Sequence, residues 1–177
     1  KRAEIVTTQR DYLAGILSKY VAKKYIFPKN IIKDHEAGII HIHDMDYMAQ
    51  ETLNNCCLIN LNDMLQNGTV INGVLIEKPH RLITAMTIAT QIVSAVASSQ
   101  YGGCTFTLSH LAPFVRSSFD IYLNKYLEYG LSKEDANKLA EKDLKKEIED
   151  AVQTMNYQLN SFTTTNGQAP FVSVCIY

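Results

Sequence analysis

Apolar positions along the chain follow two rhythms. At Tyr12, Leu13, Ile16, Leu17, Tyr20 and Val21 they recur with the spacing of one helix face. This predicts a helix over 7–25 with Thr7 or Thr8 as its N-cap. Pro28 is suited to open a second short helix, which Gly38 ends. From Gly38 through Ile39, Ile40, His41, Ile42, His43 and Asp44 the pattern alternates, predicting a short strand that runs into a polar loop. Residues 61–66 read as one or two helical turns. Thr69-Val70-Ile71 and Val74-Leu75-Ile76 flank Asn72-Gly73, a two-residue hairpin signal, because both turn residues tolerate positive φ.

A long helix is predicted over 80–100. It is apolar at Ile83, Met86, Ile88, Ile92, Val93 and Val96, and small at Ala85, Ala89, Ala95 and Ala97. Small residues let such a helix approach another closely. Tyr101-Gly102-Gly103 is expected to end it. A further helix covers about 109–129 and stops at Gly130. Ser132 followed by Glu134 and Asp135 reads as an N-cap with acidic residues in the first turn, opening a helix to about 162. The charged run Lys145, Lys146, Glu147, Glu149 and Asp150 in that helix is expected to be a solvated face. Asn166-Gly167-Gln168 turns the chain, and 170–176 reads as a strand. The expected fold is mostly α with short β-strands and one hairpin, over 1–177 as a single unit.

Composition narrows this picture. Of 177 residues, 46% are apolar and 20% charged, which is ordinary globular composition. A net charge of −1 gives no bulk field for a polyanion, so no direct nucleic-acid partner is expected. The most apolar run, 82–97, is interrupted by Thr84, Thr87, Thr90, Gln91 and Ser94, whereas a bilayer span needs about 20 predominantly apolar residues. Lys1-Arg2-Ala3-Glu4 begins no secretory signal. Cys56, Cys57, Cys104 and Cys175 form no CxxC pair, which argues against a disulfide framework and for a reducing, cytoplasmic setting. The missing initiator Met and the closing apolar run 171–177 suggest a piece of a longer protein.

Three clusters are able to carry chemistry. His41 and His43 on a strand would share one side, with Asp44 and Asp46 starting the loop. This is an active-site wall, a metal site of the two-His-plus-carboxylate kind, or a hydrogen-bonded strand end. In Asn54-Asn55-Cys56-Cys57, the thiols are either reactive or small buried hydrophobes, and the amides bind a polar substrate or make a turn. The hydroxyl- and amide-rich stretch from Thr163 to Pro170 is a phosphate or ribose loop, or a helix C-cap. No Lys follows its Gly, so it is not a P-loop.

In order along the chain, His41-Ile-His-Asp-Met-Asp-Tyr47, Asn55-Cys56-Cys-Leu-Ile-Asn-Leu61, Ala89-Thr-Gln91, Ala95-Val-Ala-Ser98, Tyr101-Gly-Gly103, Leu111-Ala-Pro-Phe-Val115 and Thr165-Asn-Gly-Gln-Ala-Pro-Phe-Val172 resemble the anaerobic (class III, glycyl-radical) ribonucleoside-triphosphate reductases. The resemblance covers nearly the whole chain. It implies the N-terminal-side part of a ten-stranded α/β barrel, a partial catalytic domain of a larger enzyme that converts ribonucleotides to 2′-deoxyribonucleotides. It implies a glycyl radical, formate as reductant, and an activating partner that uses S-adenosylmethionine and an iron–sulfur cluster. The radical glycine, the thiyl-radical cysteine and the parent's zinc site are expected outside this chain, and no metal is expected within it. Carried over, Cys56 is the second active-site cysteine, facing the ribonucleoside triphosphate, and Asn55 is the asparagine beside it. His41, His43 and Asp44 form an active-site wall. Glu77, Gln91 and Lys125 fall where the family contacts its deoxynucleoside-triphosphate or ATP effectors, with a homodimer formed through the 80–100 helix. The competing readings are another glycyl-radical enzyme, a nucleotide-binding regulatory module without chemistry, and a small metal-binding protein.

Overall fold

The computed structural model describes residues 5–50, 54–71, 73–98, 101–161 and 171–176. Among the described residues, six α-helices and five strands follow in the order α1 (Val6–Val21), α2 (Lys29–Glu36), β1 (Asn54–Leu58), α3 (Leu61–Asn67), β2 (Thr69–Ile71), β3 (Val74–Ile76), α4 (Leu82–Ser98), β4 (Tyr101–Thr107), α5 (Ala112–Glu128), α6 (Lys133–Ser161) and β5 (Val172–Cys175). They group into two compact units, one up to Asn55 and one from Cys56 onward.

In the first unit, α1 starts at Val6, ahead of both threonines proposed as its cap; Ile5 is the N-cap and supplies no side-chain bond. The helix widens into a π turn over Ala22–Ile26, and the Pro28 position then opens α2 as predicted. Ala22, Ile32 and Met45 form a small core, with Phe27, Ile42 and Met48 packed against it. The strand predicted over 38–44 is absent. Gly38 takes a left-handed φ of 73°, and the amides of Ile39 and Ile40 both donate to Asp34 O at the end of α2. The chain curls back on the helix instead of pairing, and continues in turns to residue 50.

The second unit is built around α4. Eight of its residues are buried, among them Ala85, Met86, Ala89, Ile92 and Val93, so it is enclosed on most sides. Its main core also takes in Leu61 and Leu65 of α3, Phe106 of β4 and Phe114 of α5. Buried positions on α6 recur at Ala136, Ala140, Glu147 and Ala151, a helical stripe of mostly small side chains. Ser132 caps this helix as predicted: Asp135 N donates to its Oγ at 3.2 Å. A cap of this kind contributes about 1 kcal/mol.

The hairpin forms in the predicted register, Thr69 opposite Ile76 and Ile71 opposite Val74, with Gly73 at φ 80°. A three-stranded sheet has the order β1-β4-β5, and β4 pairs parallel with β5, Cys104 opposite Val172 and Thr107 opposite Cys175. A parallel pair needs a long crossover, which α5 and α6 provide. Tyr101-Gly102-Gly103 does not terminate α4 but begins β4. A Cβ on Gly103 would sit 3.2 Å from the Phe171 ring, so the glycine permits the close approach of the chain entering β5. Glu147, expected on a solvated face, is buried. The turn predicted at 166–168 and the polar stretch from Thr163 to Pro170 lie outside the described residues. Among the described residues no helix is long and apolar enough to cross a membrane.

Candidate functional site

Side chains alternate across a strand, so Cys56 and Cys57 on β1 face opposite ways. Cys57 packs against the main core, whereas Cys56 is exposed. Cys104 is buried, with its thiol toward Phe171 O at 3.8 Å. Burial, and then the neighbouring Cys57, push the Cys104 thiol above its ordinary range, which keeps it protonated and unreactive at neutral pH. Cys175 is half-buried on β5, and all four thiols are free. Cys56 is therefore the thiol that local structure presents outward. Asn55 lies on the same strand; its side chain is outside the described residues.

Beyond the ends of β1 and β4 lies a cavity of about 230 Å³, bordered by Asn60, Thr105, Thr107, His110 and Cys175. The His110 Nδ1 is buried without a hydrogen-bond partner among the described residues. Sequence reasoning did not single out His110, which stands between Ser109 and Leu111 and matches no motif.

In the first unit, the turn after α2 brings His41 and His43 together without a strand, their ring centroids 6.0 Å apart. His35, on the last turn of α2, lies 5.6 Å from His41. Its Nδ1 accepts from Ile42 N at 3.2 Å. His43 Nε2 is 3.2 Å from Asp44 Oδ2, and Asp44 holds a φ of 51°, an uncommon conformation for a side-chain-bearing residue. Ser18 of α1 anchors the far side of this turn: its Oγ accepts from Ala49 N at 3.1 Å and lies 3.3 Å from Met45 O. Gly15 leaves room for Asp46, whose Cβ would be 3.2 Å from any side chain added there. Between these groups is a cavity of about 420 Å³ that Lys19 and Lys23 also line. Sequence analysis found His41, His43 and Asp44 but missed His35, Lys19 and Lys23, whose contribution depends on the turn. Among the described residues no group of three or more His, Cys, Asp or Glu is arranged to hold a metal ion.

The three predicted effector residues lie on separate segments of the second unit. Glu77 is exposed after β3, and Gln91 is exposed on α4. Lys125 is exposed on α5, its Nζ 5.2 Å from the Tyr126 ring centroid. Gln91 thus reaches solvent and needs no partner within the helix bundle. Its neighbour Thr90 is buried on α4, where it donates to Thr87 O at 2.8 Å and meets the Gln158 side-chain amide of α6.

At the start of α4, Glu147 of α6 accepts from Ile83 N at 3.1 Å and from Ser118 Oγ at 3.2 Å. Ser118 in turn accepts from Leu82 N at 2.9 Å. Arg81 reaches Glu147 Oε2 at 3.4 Å and also bonds the Tyr122 hydroxyl. Burial first, then the hydrogen bond to Glu147, hold the Tyr122 phenol above its ordinary value, against the opposing charge of Arg81.

A model of the family described as anaerobic ribonucleoside-triphosphate reductase matches residues 1–177. The reductase of that name from Enterobacteria phage T4 is 39% identical over 176 residues, covering 98% of this chain and 29% of the relative. Those of Haemophilus influenzae and Escherichia coli are each 38% identical over 175 residues, covering 98% of this chain and 24% of the relative. The chain thus spans about a quarter of the length of these relatives. Two crystal structures of the Thermotoga maritima anaerobic ribonucleotide reductase share its fold. The one in complex with dATP and CTP has a TM-score of 0.59 at 21% identity, covering 95% of this chain and 26% of that one. The one with MES in the active site has a TM-score of 0.63 at 18% identity, covering 98% and 28%. The seven motifs, their order, and the match along the whole chain agree: this chain belongs to the anaerobic ribonucleoside-triphosphate reductase family.

Proposed function

We propose that the chain is part of the catalytic subunit of an oxidoreductase that converts ribonucleoside triphosphates to 2′-deoxyribonucleotides, with Cys56 as a working thiol. The observation that carries this reading is the asymmetry of the cysteine pair: Cys57 is packed into the core while Cys56 stands free on β1. A thiol on a rigid strand is held in position to give a hydrogen atom to a ribosyl carbon, and strand attachment limits the misplacement that such chemistry tolerates poorly. Asn55 would bind sugar hydroxyls through its amide while the 2′ hydroxyl leaves as water. His41, His43 and Asp44 would form an active-site wall.

The glycyl radical of the parent would supply the one-electron chemistry, and formate the reducing equivalents. The radical is generated by an activating enzyme with S-adenosylmethionine and an iron–sulfur cluster. The parent's zinc site would lie outside this chain. Glu77, Gln91 and Lys125 would meet a deoxynucleoside-triphosphate or ATP effector. Gln91 and Glu77 would read a base edge or sugar, and Lys125 would meet a phosphate as a point charge. The homodimer would form through the 80–100 helix. In this reading the chain is a partial catalytic domain, the N-terminal-side part of a ten-stranded α/β barrel, and the enzyme works in the cytoplasm during anaerobic DNA precursor synthesis.

The test is turnover by the full-length protein containing this chain, given the activating enzyme, S-adenosylmethionine, formate and a ribonucleoside triphosphate. Deoxyribonucleotide product is expected from the full-length protein and none from residues 1–177 alone. Failure of the activated full-length protein to form product, or sustained turnover by the 177-residue piece, would overturn the reading.

A further inference from the structure

Three strands lie side by side in the order β1-β4-β5, and their register brings three residues into one row. Cys104 is opposite Val172, so Gly103 is opposite Phe171. On the other side of β4, Ile59 N donates to Thr105 O at 2.8 Å, and the Cys57 thiol is close enough to Cys104 to raise it. Positions advance together on the two strands, so β1 runs parallel to β4 and Cys56 falls beside Gly103. Cys57, Cys104 and Val172 belong to the core side. Alternation therefore sets Cys56, Gly103 and Phe171 together on the other face. Cys56 and Phe171 are both exposed there, Phe171 by 75%. At about 4.8 Å between neighbouring strands, their Cα atoms are roughly 10 Å apart, with no side chain between them. The Phe171 ring leans into this notch: its Cδ1 lies 3.2 Å from the place a Gly103 Cβ would take.

We propose that Phe171 is a substrate-contacting residue whose ring, over Gly103, packs against the C–H face of the substrate ribose and sets its distance from the Cys56 Sγ. The inference rests on the reading of Cys56 as the working thiol. Two residues further along the strands, Leu58, Thr105 and Ser173 form the next row of the same face, Thr105 directly opposite Ser173. The face thus offers an apolar plane and two neighbouring hydroxyls. A ribose has the matching parts, C–H groups on its faces and hydroxyls on its edge. A ring carried on a strand is held more firmly than one on a loop, which suits a wall that fixes a reacting distance. Gly103 is the other half of the device, since a side chain there would fill the floor of the notch and press on the ring.

The test uses the full-length protein without activation, so no radical chemistry is needed. Alkylation of Cys56 by iodoacetamide is followed by mass spectrometry of its peptide, and protection by CTP gives an apparent affinity beside this thiol. Phe171→Leu, which stays apolar but loses the ring, should weaken CTP protection by about fivefold, the scale of one aromatic contact. Phe171→Tyr keeps the ring and should stay within about twofold of wild type. Gly103→Ala should weaken protection as Phe171→Leu does, and it decides the matter if circular dichroism shows that Phe171→Leu does not fold. Any protection by inorganic tripolyphosphate, which has no sugar, should be the same in all three variants and the wild type. CTP protection that is unchanged in folded Phe171→Leu, or that falls equally for tripolyphosphate, would overturn the inference while leaving the Cys56 reading in place. Absence of CTP protection in the wild type would overturn the Cys56 reading and the inference with it.

Discussion

Replacing Glu147 with alanine removes the acceptor that holds the first turn of α4. In the native structure its carboxylate, 5% exposed, takes the Ile83 amide, the Ser118 hydroxyl and one Arg81 nitrogen. The amide and hydroxyl bonds are buried hydrogen bonds to a charged group, about 1.5–3 kcal/mol each. The Arg81 side chain is 40% exposed, so its ion pair at 3.4 Å adds little. Water entering the vacated space recovers part of the loss, and desolvation of the carboxylate offsets more. The net cost is about 3 kcal/mol, or roughly 150-fold in a local opening equilibrium. The assay is amide hydrogen exchange at Leu82 and Ile83 in the full-length protein, under conditions where exchange reports the opening equilibrium. Glu147→Gln keeps one acceptor and should accelerate exchange much less. Alanine-variant exchange within about fivefold of wild type would refute the claim that Glu147 caps α4.

Three further outcomes follow from the same geometry. Gly68 has a φ of 82°, and a Cβ there would lie 2.9 Å from Ile76 O, so Gly68→Ala should cost about 1–3 kcal/mol and raise exchange in the β2–β3 hairpin. The Tyr122 phenol is held above its ordinary value of 10.0, so its contribution is fully present below pH 10 and is lost as pH rises through the folded value. Denaturant midpoints should fall in that alkaline window, and less so for Tyr122→Phe. Under the effector proposal, Lys125→Ala should weaken effector binding by roughly 1.5–3 kcal/mol by calorimetry and shift product ratios with mixed substrates more than basal turnover.

Local chemistry explains what the sequence made readable. The Asn72-Gly73 hairpin was legible because its turn demands positive φ, and α4 because an apolar run flanked by polar segments has to be enclosed. The strand expected over 38–44 failed because alternation alone supplies no partner; the Asp34 carbonyl captured the amides of Ile39 and Ile40. Gly102 and Gly103 looked like a helix stop, yet β4 begins there because its parallel partner arrives some seventy residues later, beyond any local signal. Glu147 was hidden in a charged run, although it lies on the Ala136, Ala140, Ala151 stripe, a helical periodicity that does mark it. Spacing alone did not distinguish Cys56 from Cys57; the family resemblance singled out Cys56, and strand alternation now turns it outward and Cys57 inward. His41, His43 and Asp44 were visible as a motif, while His35, Lys19 and Lys23 joined them only through the turn.

The central claim concerns Cys56, and the most direct measurement is a paired assay on the full-length Cys56→Ala enzyme. The activated protein is examined by electron paramagnetic resonance for the glycyl radical and by chromatography for deoxyribonucleotide, with Cys57→Ala alongside. The account predicts a retained radical signal and abolished product for Cys56→Ala, with Cys57→Ala losing stability at most. Near-normal turnover by Cys56→Ala would contradict it.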